Sequence, residues 1–129
     1  MTPDRAAAIL NEILEKAKQG DVESMRRIGL YFMAAQCEAQ NLDEAEKWLT
    51  KAAELGDIDA QCGLGCLYVK YLGNLEEEVK AEFKNPLDRL AALNMLGSHY
   101  LSEARKWLIE AAKEGHEGAI DMLSELPRK

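Results

Sequence analysis

A chain of 129 residues, 47% hydrophobic and 30% charged, is long enough to bury a core and too apolar to stay disordered, so one soluble globular domain over residues 1 to 129 is predicted. A formal charge of −7 disfavours nucleic-acid backbones and anionic membrane surfaces, which reward basic faces, and favours a basic protein partner or plain solubility. No run approaches the roughly 18 apolar residues of a membrane span, "MTPDRAAAILNEILEK" lacks the pattern of a secretory signal, and Cys37, Cys62 and Cys66 are odd in number and form no disulfide framework. A cytoplasmic setting is the expectation.

The boundary signals, in chain order, predict eight helices. Thr2-Pro3 opens the first, which ends near Gly20; Asp21 caps the second, which runs to about Ala35. The polar stretch "CEAQN" is a loop. Asn41 with Glu44 has capping-box spacing for a third helix ending at Gly56. Asp57 begins a fourth that stops at Leu72-Gly73, and Asn74 with Glu77 opens a fifth. Asn85-Pro86 stops that one and caps the sixth. Leu101 or Ser102 separates the sixth from the seventh; the alternative is that these two run on as one bent rod. The seventh ends at Gly115, and the eighth runs from His116 to about Leu126. Eight helices make four antiparallel pairs, over residues 3–35, 41–73, 74–100 and 102–126.

Two phrases echo each other, "EAEKWLTKAAELG" at 44–56 and "EARKWLIEAAKEG" at 103–115. Ala45, Trp48, Leu49, Ala52 and Leu55 recur at spacings of three and four, one face of a helix, and Ala104, Trp107, Leu108 and Ala111 repeat that face. Ala53 and Ala112 complete the two Ala-Ala pairs. A second pattern is Ala60, then Leu64-Gly65-x-x-Tyr68. It recurs as Ala92, Leu96-Gly97-x-x-Tyr100, and loosely as Ser24, Ile28-Gly29-x-x-Phe32. Glycine inside a helix costs about 1 kcal/mol relative to alanine, so its recurrence predicts a close helix approach that a Cβ would block. Tyr68 and Tyr100 would cover the crossings. The third pair is the degraded one: Lys80 stands where Trp48 stands in the second, leaving a short apolar stripe of Leu75, Val79 and Phe83.

These phrases resemble the Sel1-like repeats. "NLDEAEKWLTKAAELGD", residues 41 to 57, is similar to that family's first-helix phrase, and "AQCGLGCLY", residues 60 to 68, to its second. The similarity is close over 41–72, good over 102–120, partial over 14–32 and poor over 74–90. It implies an all-α right-handed superhelix, related to tetratricopeptide repeats, that scaffolds other proteins, for example as a bacterial adaptor or a neutraliser of a basic toxin. The structural positions it carries over are Ala45, Trp48, Ala52, Ala53, Gly56, Ala60, Leu64, Gly65 and Tyr68, with Gly97, Tyr100, Ala104, Trp107, Ala111, Ala112 and Gly115 as their counterparts. It transfers no catalytic residue.

Other candidates compete with simpler readings. Cys62 and Cys66 lie four apart on one helix face, with His99 as an imaginable third metal ligand, yet the pattern puts buried apolar residues at both positions. A metal- or redox-responsive regulator using Cys37, Cys62 and Cys66 is the alternative function. No nucleophile and orienter can be assigned to His99 or His116, so no enzyme and no cofactor are expected. Trp48 and Trp107 are core residues before they are peptide grips. Glu76, Glu77 and Glu78 sit where a helix start would favour them, and with Lys80 they are the candidate contacts for a basic partner. The expected function is a protein-binding scaffold acting through a concave or grooved surface, as a monomer or weak dimer. No nucleic acid or membrane partner is expected.

Overall fold

The computed structural model describes residues 3 to 34 and 41 to 126. Among them six helices and no strand are formed: α1 (Pro3–Lys18), α2 (Val22–Ala34), α3 (Leu42–Glu54), α4 (Ile58–Glu82), α5 (Pro86–Lys113) and α6 (Glu117–Glu125). The chain is all-α. It divides into two compact units, residues 1 to 64 and 65 to 129, the division falling inside α4. Thr2, the end expected at Ala35, and the loop around Cys37 lie outside the described residues.

Three turns are built alike. Gly20, Gly56 and Gly115 take φ of +101°, +93° and +85°, a conformation only glycine adopts without strain. At each, the glycine N–H donates to the carbonyl three residues back and the next N–H reaches five back, as in Gly56 to Ala53 (3.0 Å) and Asp57 to Ala52 (3.1 Å). The residue after the glycine then opens the following helix. Asp21 Oδ2 accepts from the Ser24 N–H at 3.2 Å, Asp57 Oδ1 from that of Ala60 at 2.9 Å, and His116 Nδ1 from that of Ala119 at 3.1 Å. Asn41 Oδ1 likewise accepts from the Glu44 N–H at 3.0 Å. One helix is closed and the next begun within two residues.

In the first unit α2 packs between α1 and α3. Ile28, Ala45, Leu49, Ala52 and Ala60 are fully buried, with Ala17, Met25, Trp48, Ala53 and Leu64 beside them in the core. The seam depends on glycine: a Cβ at Gly29 would lie 2.6 Å from Leu49 Cγ and 3.2 Å from the Leu49 backbone nitrogen. Leu49 thus fills a notch that any side chain on α2 would close. A Cβ added at Gly63 would meet the same leucine, at 3.5 Å from Cδ2, and Leu30 Cδ2 at 3.0 Å. Arg26 on α2 ties to the start of α4, its Nη1 being 3.5 Å from Asp57 Oδ2 and 3.3 Å from Asp59 Oδ2.

In the second unit Leu108 repeats the device. A Cβ at Gly65 would lie 2.5 Å from Leu108 Cγ and 3.3 Å from the Ala104 carbonyl oxygen. The third glycine differs: a Cβ at Gly97 would meet only Leu75 Cδ2, at an ordinary 3.7 Å, so the tight approach expected there is absent. Sequence explains the change. In the register that sets Lys80 on Trp48, Ala81 falls on Leu49, so the segment 74–84 has no leucine at that position, and Leu108 occupies the Gly65 notch.

The interruption expected at Gly73 does not occur, and of the two readings of Leu101-Ser102 the single continuous helix is the one formed, which reduces eight helices to six among the described residues. α4 continues through Gly73-Asn74: Gly73 keeps a negative φ, no proline follows, and Leu75 and Val79 extend the buried stripe begun by Tyr68. That burial outweighs the cost of about 1 kcal/mol for one helical glycine. α5 continues through Leu101-Ser102 because neither residue breaks a helix, and Ala104, Leu108 and Ala111 are buried directly beyond. The expected start at Asn74 was also the reason to place Glu76, Glu77 and Glu78 at a helix amino end. They lie instead in the carboxyl-terminal third of α4, where the helix dipole gives them no help.

Gly29→Ala should destabilise the protein by about 1–3 kcal/mol in urea unfolding through overpacking against Leu49. Gly73→Ala, where a Cβ meets nothing within 4 Å, should stabilise it by about 0.5–1 kcal/mol. Equal effects would show that the notch does not determine the seam. Hydrogen bonding from Ser24, aided by Lys16 and Arg27, holds the Asp21 carboxyl below its ordinary value. A depressed carboxylate pKa stabilises the fold above the unfolded value and loses that contribution as pH falls through the folded one. Asp21→Asn, neutral throughout, should therefore narrow the loss of thermal stability measured below about pH 4.

Candidate protein-docking surface

The start of α5 is fixed by three contacts. Asn85 Oδ1 accepts from the N–H groups of Leu87 (2.8 Å) and Asp88 (3.4 Å), Pro86 occupies the first turn, and Arg89 Nε donates to the Phe83 carbonyl. From there α5 runs 28 residues, about 42 Å at 1.5 Å per residue. Its carboxyl-terminal half is a buried wall carrying Ala104, Trp107, Leu108 and Ala111. Its amino-terminal half is not.

No residue from Lys80 to Glu103 is buried. Yet the segment 85–102, "NPLDRLAALNMLGSHYLS", holds Leu87, Leu90, Leu93, Met95, Leu96 and Leu101, with Asp88 and Arg89 as its charged residues. Leu87 is 75% exposed, Leu90 57% and Met95 75%, large values for side chains of this kind. Helical spacing places these residues on more than one side of α5, wider than the single apolar stripe of an ordinary surface helix. Two open hollows lie along it. One, of about 590 Å³, is lined by Leu93, Asn94, Ser98, Ser102, Arg105 and Ile109 among others. The other, of about 380 Å³, lies between Phe83 and the Asp88, Ala91 and Met95 side of the helix.

The acidic candidates lie on α4. Glu76, Glu77, Glu78 and Lys80 are all exposed, between the buried Leu75 and Val79. The pairs at 52–53 and 111–112 are buried except for a half-buried Ala112, and Gly56 and Gly115 are exposed turns. Half-buried Tyr100 stacks on buried Tyr68, with ring centroids 6.2 Å apart, and lies 5.2 Å from Tyr71. His99, the imagined third metal ligand, is exposed beside this cluster, 5.6 Å from the Tyr100 ring. Cys62 is buried and Cys66 half-buried, neither in a disulfide; Cys37 lies outside the described residues. Among the described residues no three His, Cys, Asp or Glu are grouped to hold a metal ion, and no helix is long and apolar enough to cross a membrane.

Both tryptophans are buried, Trp48 being 4% and Trp107 9% exposed. Lysines lie over their outer faces: Lys47 and Lys51 Nζ are each 4.9 Å from the Trp48 ring, and Lys106 Nζ is 4.8 Å from that of Trp107. Such contacts contribute about 0.5–1 kcal/mol each while shielding the ring from water. Trp48 Nε1 is buried with no hydrogen-bond partner, so the ring is held by packing.

The apolar α5 surface was present in the sequence as apolar residues on more than one helix face with almost no charge, a signal less conspicuous than the three adjacent glutamates. Trp48→Ala should cost about 3–5 kcal/mol of stability in chemical denaturation; a variant that melts like the wild type would remove Trp48 from the core. In comparisons with known proteins, no family model, no curated protein and no solved structure matches the chain.

Proposed function

We propose that this chain is a protein-interaction scaffold, binding another protein or peptide through the surface of α5 and the adjoining end of α4. The observation that carries the reading is the run from Asn85 to Ser102, with Asp88 and Arg89 as its charged residues, three strongly exposed apolar side chains at Leu87, Leu90 and Met95, and not a single buried residue. Contiguous exposed apolar surface of this kind marks interaction sites in soluble proteins. It lies on helices whose neighbouring turns are pinned by packed leucines and caps, so docking would order little of the chain. The echoed Trp-Leu and Leu-Gly phrases, with their resemblance to Sel1-like repeats, support the same class: helix pairs stacked into a superhelix that serves as an adaptor. Glu76, Glu77 and Glu78, exposed on α4 with Lys80 one turn on, would steer a basic partner toward the site. The reading assigns binding and no catalytic residue.

The test is capture from native lysate on the immobilised full chain at two salt concentrations, with identification by mass spectrometry. Wild type should retain a stoichiometric partner. The double variant Leu87→Asp, Leu90→Asp should lower recovery about tenfold, the effect of removing one or two well-placed apolar contacts. Reversing the three glutamates to lysine should weaken capture and abolish its salt dependence. Recovery unchanged in both variants would end this reading.

A further inference from the structure

The side of α5 that faces water carries a pattern complementary to itself. Asp88, Ala91, Met95, Ser98, Ser102 and Arg105 follow at spacings of three and four and therefore form one stripe along the helix. All are exposed except the half-buried Arg105. The two hollows divide the stripe between them: Ser98, Ser102 and Arg105 line the larger, and Asp88, Ala91 and Met95 the smaller. The acidic residue stands at one end, the basic residue at the other, and an exposed methionine lies near the middle.

We propose that a second copy of this chain covers the stripe, the two α5 helices pairing antiparallel about a two-fold axis between Met95 and Ser98. A two-fold contact is reciprocal, each residue meeting its counterpart twice. An axis at that point sets Met95 over the second copy's Ser98, Ala91 beside its Ser102, and Asp88 against its Arg105. Every one of these pairs is compatible. The methionine, flexible and apolar, enters the larger hollow, whose described lining includes Asn94, Ser98 and Ser102. The small residues permit the helix separation of about 8–10 Å that close packing requires. An ion pair closes each end, about 26 Å from the other along the helix.

Charge favours a copy over the basic partner that the whole molecule would attract. The chain carries −7, but segment 85–102 has one acid and one base, so repulsion between copies is least there. The larger hollow presents Arg105 and Lys106 and, among its described lining, no carboxylate, so a basic partner drawn in by the α4 glutamates is turned away from this stripe of α5. Asp88 supplies the missing complement from the same helix. A single helix seam belongs with the smaller interfaces, below about 1,200 Å² in total, so the dimer is weak and concentration-dependent.

This inference rests on the α5 surface being an interface and names the occupant of its outward stripe. Sedimentation equilibrium of the purified full chain over a concentration series tests it, with helicity by circular dichroism confirming that each variant is folded. Wild type should show a reversible monomer–dimer equilibrium. Met95→Glu, which places two carboxylates at the axis, should lose the dimer. Asp88→Arg and Arg105→Asp should each lose it by opposing like charges, and D88R/R105D together should restore it. A wild type that stays monomeric at every concentration overturns the pairing, as does a dimer indifferent to Met95→Glu or a double reversal that fails to restore association. Heterologous capture from lysate is unaffected by that result, so the two readings fail separately.

Discussion

A leucine seated against a helical glycine is the constraint on which both units depend. Leu49 at Gly29 and Leu108 at Gly65 are fully buried, and each occupies space that a single added Cβ would take, at 2.6 and 2.5 Å from its Cγ. Dispersion and apolar burial both act over such short range that the seam holds only while the notch is open. The small residues around it serve the same end. Ala45, Ala52 and Ala104 are fully buried because the backbones come close enough to leave room for little more. The tryptophans lie on the flanks of these helices under lysine stems.

The same constraint accounts for the departure in the third segment. With Lys80 and Ala81 in the places held by Trp48 and Leu49, the helix after Gly73 has no knob, and Leu108 fills the Gly65 notch. α5, unbroken from Pro86 to Lys113, carries that leucine. The amino-terminal half of α5 then has no tryptophan–leucine helix against it, and Leu87, Leu90 and Met95 stand in water. The lost anchor in one segment and the apolar surface in the next are one event, seen twice along the chain.

Charge is distributed to match. The three adjacent glutamates stand at exposed positions of α4, whereas segment 85–102 of α5 holds one acid and one base. A uniformly acidic surface would keep copies apart and favour any cation equally. A neutral apolar strip within it selects for shape.

The sequence by itself determined where most helices begin and end, since caps and left-handed glycines act within a few residues: Asn41, Asp57 and Asn85 open helices as their types favour, His116 opens one through its Nδ1, and Gly20, Gly56 and Gly115 close them. It also determined which side of α3 is buried through Ala45, Trp48, Leu49 and Ala52, because a period of three and four can face only one way; Leu55, expected on that face, stands at the cap past the helix end and is 60% exposed. The two missing breaks were decided at longer range. Gly73 is a weak local interruption of about 1 kcal/mol and Leu101-Ser102 is no break at all, and residues buried beyond each are carried on the continuing helix. Which leucine would fill which notch was likewise a tertiary choice. Gly65 and Leu108 are far apart in the chain, and no local signal pairs them.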